Sequence, residues 1–141
     1  MSFLDNLYKE LILEHYKHPK NKGELPPPAL KAEGINPSCG DELELFIDLK
    51  DQTIADVKFT GEGCAISQSS ASMMTEAIRG KTVDEVLELS QKFKDMIHGE
   101  APAEELGDLK MLQGISKLHA RVKCATLAWV TLEQILKPHT P

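Results

Sequence analysis

The sequence predicts an α+β domain, a small antiparallel sheet with helices packed on one face. Three observations carry that. Two segments, "ELELFIDL" and "TIADVKF", alternate apolar and polar residues with period two across a short polar turn. Several longer segments instead place apolar residues at three- and four-residue spacing. No linker, internal repeat or shift of composition divides the 141 residues, so the chain reads as one domain, 1–141, long enough to bury a core.

The first element is a helix from Phe3 to Tyr16, with Leu4, Leu7, Tyr8, Leu11, Ile12 and His15 on its apolar stripe and Pro19 beyond its end. A loop rich in Pro and Gly follows. Periodicity neither demands nor excludes a third strand within 19–38. The first strand of the hairpin puts Leu43, Leu45, Ile47 and Leu49 on one face; the second puts Ala55, Val57 and Phe59 there. After "TGEGC" a helix runs to Gly80, a residue suited to end it. Thr82 and Glu85 then form the two ends of a capping box for a helix reaching about Ile97. "HGEAPAEELGD" reads as a loop, and "LKMLQGISKL" as a short helix broken at Gly114. A last helix runs from about Val122, with Trp129 as its anchor and Pro138 after its end. Met73, Met74 and Met111 read as core residues.

Composition narrows the function. The chain is 41% hydrophobic and 27% charged, ordinary for a globular protein, with a net charge of −6. No basic patch suits nucleic acid, and "HYKHPKNK" reads as a solvated loop. No apolar run approaches the roughly 20 residues that cross a bilayer, and charges interrupt the N-terminal segment where a secretory signal would be apolar. A cytoplasmic protein with reduced thiols is expected, without nucleic-acid or membrane partners.

The three cysteines stand at ends of elements. Cys39 precedes the first strand of the hairpin and Cys64 follows the second, so hairpin geometry brings both to the same end of the sheet. Cys64 stands at the mouth of one helix and Cys124 near the start of another, where unpaired N–H groups favour the thiolate. Arg121 and Lys123 add positive charge beside Cys124. Asp41 lies two residues after Cys39. Gly40 between them either takes a positive φ in a turn or continues a strand that puts both side chains on one face; both routes let the pair reach one ion. Three thiolates and a carboxylate suit tetrahedral Zn2+. Gly61 and Gly63 keep the backbone clear where strand turns into helix. Two competing readings are weaker. A buried cysteine is often a small hydrophobe, but three at element ends argue against that. A Cys–His pair would need a histidine in place, and His119 is the one near Cys124.

These stretches, "NPSCGD", "GEGCAISQSSASMMTEAIRGK" and "ARVKCATLAW", resemble the IscU/SufU family of iron–sulfur cluster assembly proteins, with the likeness running from "HYKHPKNKG" to the last helix. Lys123, where the IscU branch has a histidine, and the added length in "HGEAPAEELGDLKMLQGISKLHARVK" resemble the SufU branch. The resemblance implies a fold of the SufE/NifU-N kind. It also implies Zn2+ held by Cys39, Asp41, Cys64 and Cys124, with Gly40, Gly63, Arg121 and Lys123 in support. The activity it implies is zinc-dependent sulfur transfer beside a pyridoxal-phosphate cysteine desulfurase (SufS-like). In that scheme a desulfurase histidine displaces Cys39 from the metal, and the freed Cys39 thiolate, the catalytic residue, takes the persulfide sulfur for downstream iron–sulfur assembly proteins. The alternative is a non-enzymatic scaffold that builds a [2Fe–2S] cluster, or holds iron, on the same ligands.

Overall fold

A computed structural model describes residues 3–139, with side chains from residue 9 onward, so Leu4, Leu7 and Tyr8 of the predicted stripe lie outside the described side chains. Helix α1 spans Phe3–Lys17, followed by strands β1 (Leu30–Asn36), β2 (Asp41–Lys50) and β3 (Thr53–Glu62). Helices α2 (Ala65–Ile78), α3 (Val83–Ile97) and α4 (Val122–Leu136) follow, with 3-10 segments at Glu104–Lys117, His119–Arg121 and Lys137–His139. The strands form one antiparallel sheet in the order β1-β2-β3. The long first loop thus contains a third strand, whose alternation is carried by Leu30, Ala32 and Gly34, too weak to separate from coil by pattern alone.

The predicted hairpin is present with one correction. Ala55 is exposed, and Ile54 takes the inner position opposite Leu49. A bulge between Asp48 and Leu49 leaves Ala55 as the extra residue, which reverses the alternation for the start of β3. Leu43, Leu45, Ile47, Ile54, Val57 and Phe59 are all buried on the inner face.

Helix α4 crosses β1 where Gly34 has no side chain; a Cβ there would collide with the Thr131 hydroxyl. Helix α2 is buried along nearly its whole length, and its small polar residues act as joints. The Ser70 hydroxyl donates to the Ala125 carbonyl at 2.6 Å and accepts from Trp129 Nε1 at 3.2 Å, tying α2 to α4. Trp129 is fully buried and stacks on Phe93 of α3 with centroids 4.5 Å apart, the anchoring role predicted for it. Met73 and Met74 are buried, whereas Met111 is only half-buried. The capping box at Thr82 and Glu85 is complete. The predicted break at Gly114 lies instead at Gly107 (φ 54°), and the helical coil already begins at Glu104. Leu106, Leu109, Leu112 and Ile115 from this coil enter the core, which explains why a segment with a polar beginning is still ordered.

Candidate metal centre

Three features converge at one end of the sheet: the β1–β2 turn, the β3–α2 junction and the first turn of α4. Asn36 pairs with Asp41 across the end of the β1–β2 hairpin, leaving Pro37 to Gly40 as the turn. Gly40 has φ +69°, a conformation glycine adopts without a Cβ penalty, so the turn route brings Cys39 and Asp41 together. Cys39 is half-exposed while Asp41 and Cys124 are buried.

The ligand atoms of Cys39, Asp41 and Cys124 all lie within 4.8 Å of one another. The Cys124 thiol donates to Cys39 Sγ at 3.0 Å. Arg121 Nη1 stands 3.6 Å from Cys39 Sγ on the exposed side. Asn36 Nδ2 donates to Asp41 Oδ2 at 3.2 Å and reaches Cys124 Sγ at 3.6 Å. A soft, compact set of sulfur donors with one carboxylate fits a divalent metal of the zinc or iron kind, and it offers no nitrogen ligand.

Cys64 stands just outside that trio. It caps α2, its sulfur accepting the Ser67 N–H at 3.4 Å, and its own N–H donates to Asp41 Oδ1 at 2.9 Å. The Ser67 hydroxyl donates to the same oxygen at 3.1 Å. Gly63 makes this approach possible: a Cβ there would sit 2.5 Å from Asp41 Oδ1 and 2.6 Å from Ser67 Oγ. Burial pushes the Asp41 carboxyl up. The Cys64 N–H, with donors from Cys124, Ser67 and Asn36, outweighs it and holds Asp41 below the usual carboxylate range.

One expectation is overturned. Cys124 was expected to be a ready thiolate because it opens α4. Instead burial, and then its neighbours Cys39, Asp41 and Cys64, push its thiol far above the ordinary value, so without a metal it keeps its proton. Desolvation and three neighbouring acids outweigh one helix terminus. Arg121 does sit beside the thiols, as expected, whereas Lys123 is exposed and makes no hydrogen bond or ion pair with them. His119 is exposed and is not among the grouped ligands. His15 lies on the half-buried side of α1, its Nδ1 2.7 Å from Ser72 Oγ, and is not among the grouped ligands.

Asn36 and Ser67 escaped the sequence reading. Asn36 would have been found from the β1–β2 pairing that sets it opposite Asp41. Ser67 follows the Cys64 cap by three residues, the usual place for a group that meets an N-cap.

An α+β domain with a thiol-and-carboxylate cluster at one sheet end, fed by a turn and two helix starts, is the class that the fold and site define. Residues 7–125 match the family described as NifU-like N terminal domain. The chain is 48% identical over 139 residues to the zinc-dependent sulfurtransferase SufU of Bacillus subtilis (strain 168), spanning 95% of this chain and 94% of that one. It is 40% identical to the iron–sulfur cluster assembly scaffold protein IscU of Streptococcus pyogenes serotype M1, over 97% of this chain and 87% of the relative. A solved structure from Fervidobacterium islandicum AW-1, described as a candidate assembly scaffold protein for the SUF system, superposes with a TM-score of 0.86. It is 39% identical, covering 90% of this chain and 94% of that one. The N-terminal NifU-like protein of Brucella abortus, 23% identical, shares the fold with a TM-score of 0.81, over 96% of each chain. The chain belongs to the IscU/SufU family of iron–sulfur cluster assembly proteins. Among the described residues, no helix is long and apolar enough to cross a membrane.

Proposed function

We propose that this chain is a metal-dependent sulfur acceptor that takes sulfur on Cys39 from the persulfide of a cysteine desulfurase and carries it toward iron–sulfur assembly proteins in the cytoplasm. It would act as a single domain over 1–141. The ligand set would be Cys39, Asp41, Cys64 and Cys124 around Zn2+. The observation that carries the reading is an asymmetry. Asp41 and Cys124 are buried; Cys39 and Cys64 are both half-exposed, but the Cys64 sulfur is tied to a helix start by the Ser67 N–H, while Cys39 sits on a turn and is the thiol best placed to move toward a partner. The name of the Bacillus subtilis relative, a zinc-dependent sulfurtransferase, supports the same reading.

When bound, the metal ion would keep the thiols ionised and shielded from oxidation. The chain's own residues do the rest. The Cys39 thiolate attacks the outer sulfur of the donor persulfide. The donor S–S bond breaks, its cysteine leaves as a thiolate, and a new S–S bond makes Cys39 the persulfide. Arg121, beside Cys39, offsets the negative charge on the transferred sulfur. Asn36, Ser67 and the Cys64 N–H keep Asp41 in place while Cys39 moves.

A scaffold building a [2Fe–2S] cluster on the same ligands is the second reading, and the name of the Streptococcus pyogenes relative speaks for it. Lys123, turned to solvent where the scaffold branch is expected to carry a histidine, favours sulfur transfer. The test is desulfurase turnover with wild type and Cys39→Ala. Wild type is expected to stimulate turnover and Cys39→Ala to lose that stimulation. Equal stimulation by both proteins would end the sulfur-acceptor reading.

A further inference from the structure

We infer that Cys124 is a resolving thiol: with the thiols free of metal, it attacks the Cys39 persulfide and releases the delivered sulfur as sulfide. This rests on the reading of Cys39 as the sulfur acceptor and adds a second chemical fate for the sulfur it carries.

The geometry points there. Cys124 Sγ is 3.0 Å from Cys39 Sγ, within the roughly 3–3.5 Å of a near-attack arrangement. A disulfide bond is about 2.05 Å long, so the sulfurs need to close by only about 1 Å. Cys39 is on a turn that can supply that movement, whereas Cys124 is fixed in the first turn of α4. Direction is also favourable. Cys124 is fully buried and Cys39 half-exposed, so sulfur delivered from outside reaches Cys39 from its solvent side while Cys124 approaches it from within. Arg121, 3.6 Å from Cys39 Sγ on the same exposed side, stands where the departing sulfide gathers charge. Cys64 is not equivalent, because its sulfur is engaged by the Ser67 N–H and lies outside the group formed with Cys39.

The step balances without an added oxidant or reductant. Because Cys124 is a thiol when no metal is bound, it must first give up its proton, which ends on the negatively charged outer sulfur of the persulfide. The thiolate so formed bonds through Sγ to Cys39 Sγ, and the bond from Cys39 Sγ to the outer sulfur breaks. The outer sulfur leaves with the bonding pair and the Cys124 proton, departing as hydrosulfide. Two electrons reduce that sulfur, and the two cysteines that supply them become a disulfide. A dithiol reductant must reopen it before another turn. A metal ion held by Cys124 would withhold the resolving thiol, so metal content would decide whether sulfur is handed on as persulfide or discharged as sulfide.

The test begins with protein as purified, loaded anaerobically with a small-molecule persulfide and freed of excess donor. EDTA is added to one half, and no thiol reductant to either. In the EDTA half, the intact mass is expected to pass from one added sulfur to the loss of two hydrogens. About one sulfide per chain should appear, and peptide mapping should join Cys39 to Cys124. That map needs no variant. Cys124→Ser, checked for a native circular dichroism spectrum, should hold its sulfur and release sulfide on the order of tenfold less. A stable persulfide on Cys39 after EDTA, or a Cys39–Cys64 disulfide, would overturn the inference while leaving Cys39 as the acceptor. If Cys39 gains no sulfur at all, the sulfur-acceptor reading itself fails.

Discussion

Gly63→Ala isolates the support beneath the proposed carboxylate ligand. The added methyl would lie 2.5 Å from Asp41 Oδ1 and 2.6 Å from Ser67 Oγ, closer than real Cβ atoms come to such groups. Asp41 is fully buried and cannot swing aside. Oδ1 is the oxygen that accepts both the Cys64 N–H and the Ser67 hydroxyl, so relieving the clash breaks at least one of those bonds. A hydrogen bond to a charged group is worth about 1.5–3 kcal/mol. With a tenfold change for each 1.4 kcal/mol, metal affinity should fall about 10- to 140-fold. Competition against a chromogenic zinc chelator reads that directly, with circular dichroism to confirm that the variant is folded. A folded Gly63→Ala binding zinc within about threefold of wild type would refute the reasoning, since Asp41 would then be either not a ligand or not held by this pocket.

Other expectations follow from packing and titration. Ser70→Ala strips Trp129 Nε1 and the Ala125 carbonyl of their shared partner, and should cost about 1–3 kcal/mol in urea unfolding; an unchanged midpoint would count against the α2–α4 joint. Thr82→Ala removes the side-chain half of the α3 capping box and should cost about 1 kcal/mol, read as a lower Tm. Burial first, then Lys20, lowers the His15 pKa against opposing carboxylates, so the folded state favours the neutral ring. A depressed folded pKa contributes stability above the unfolded value near 6.5 that is lost as pH falls. Tm should therefore drop between pH 7.5 and about 5.5, and His15→Gln should flatten that slope.

The hairpin and most helix boundaries were legible because their signals are local: period-two alternation, a capping box, a terminal glycine. What was not legible depends on pairing across distance. Strand β1 exists because β2 accepts its hydrogen bonds along Leu30 to Asn36, a partner that no pattern in its own seven residues announces. The bulge that exposes Ala55 is likewise a property of two strands together. At the site, the convergence of Cys39, Asp41 and Cys124 was legible from residue type and position at element ends, whereas Cys64, expected with them, stands just outside their group. Asn36 and Ser67 were not legible, because a buried asparagine or serine becomes meaningful only once its acceptor is known to be Asp41.

The same distinction explains the error over Cys124. A helix start is a local feature and argues for a thiolate; burial and the company of Cys39, Asp41 and Cys64 are tertiary features and argue for the thiol. The tertiary effects win because the acids are crowded into one desolvated space where they cannot all ionise without a cation. A metal ion would relieve that crowding; without one, Cys124 Sγ is still left 3.0 Å from Cys39 Sγ. In the proposed scheme, metal binding and persulfide resolution would be two outcomes of one arrangement. In that scheme, whether the cluster is relieved by a cation or by joining Cys39 to Cys124, with the delivered sulfur leaving as sulfide, depends on whether metal or persulfide sulfur reaches Cys39 first.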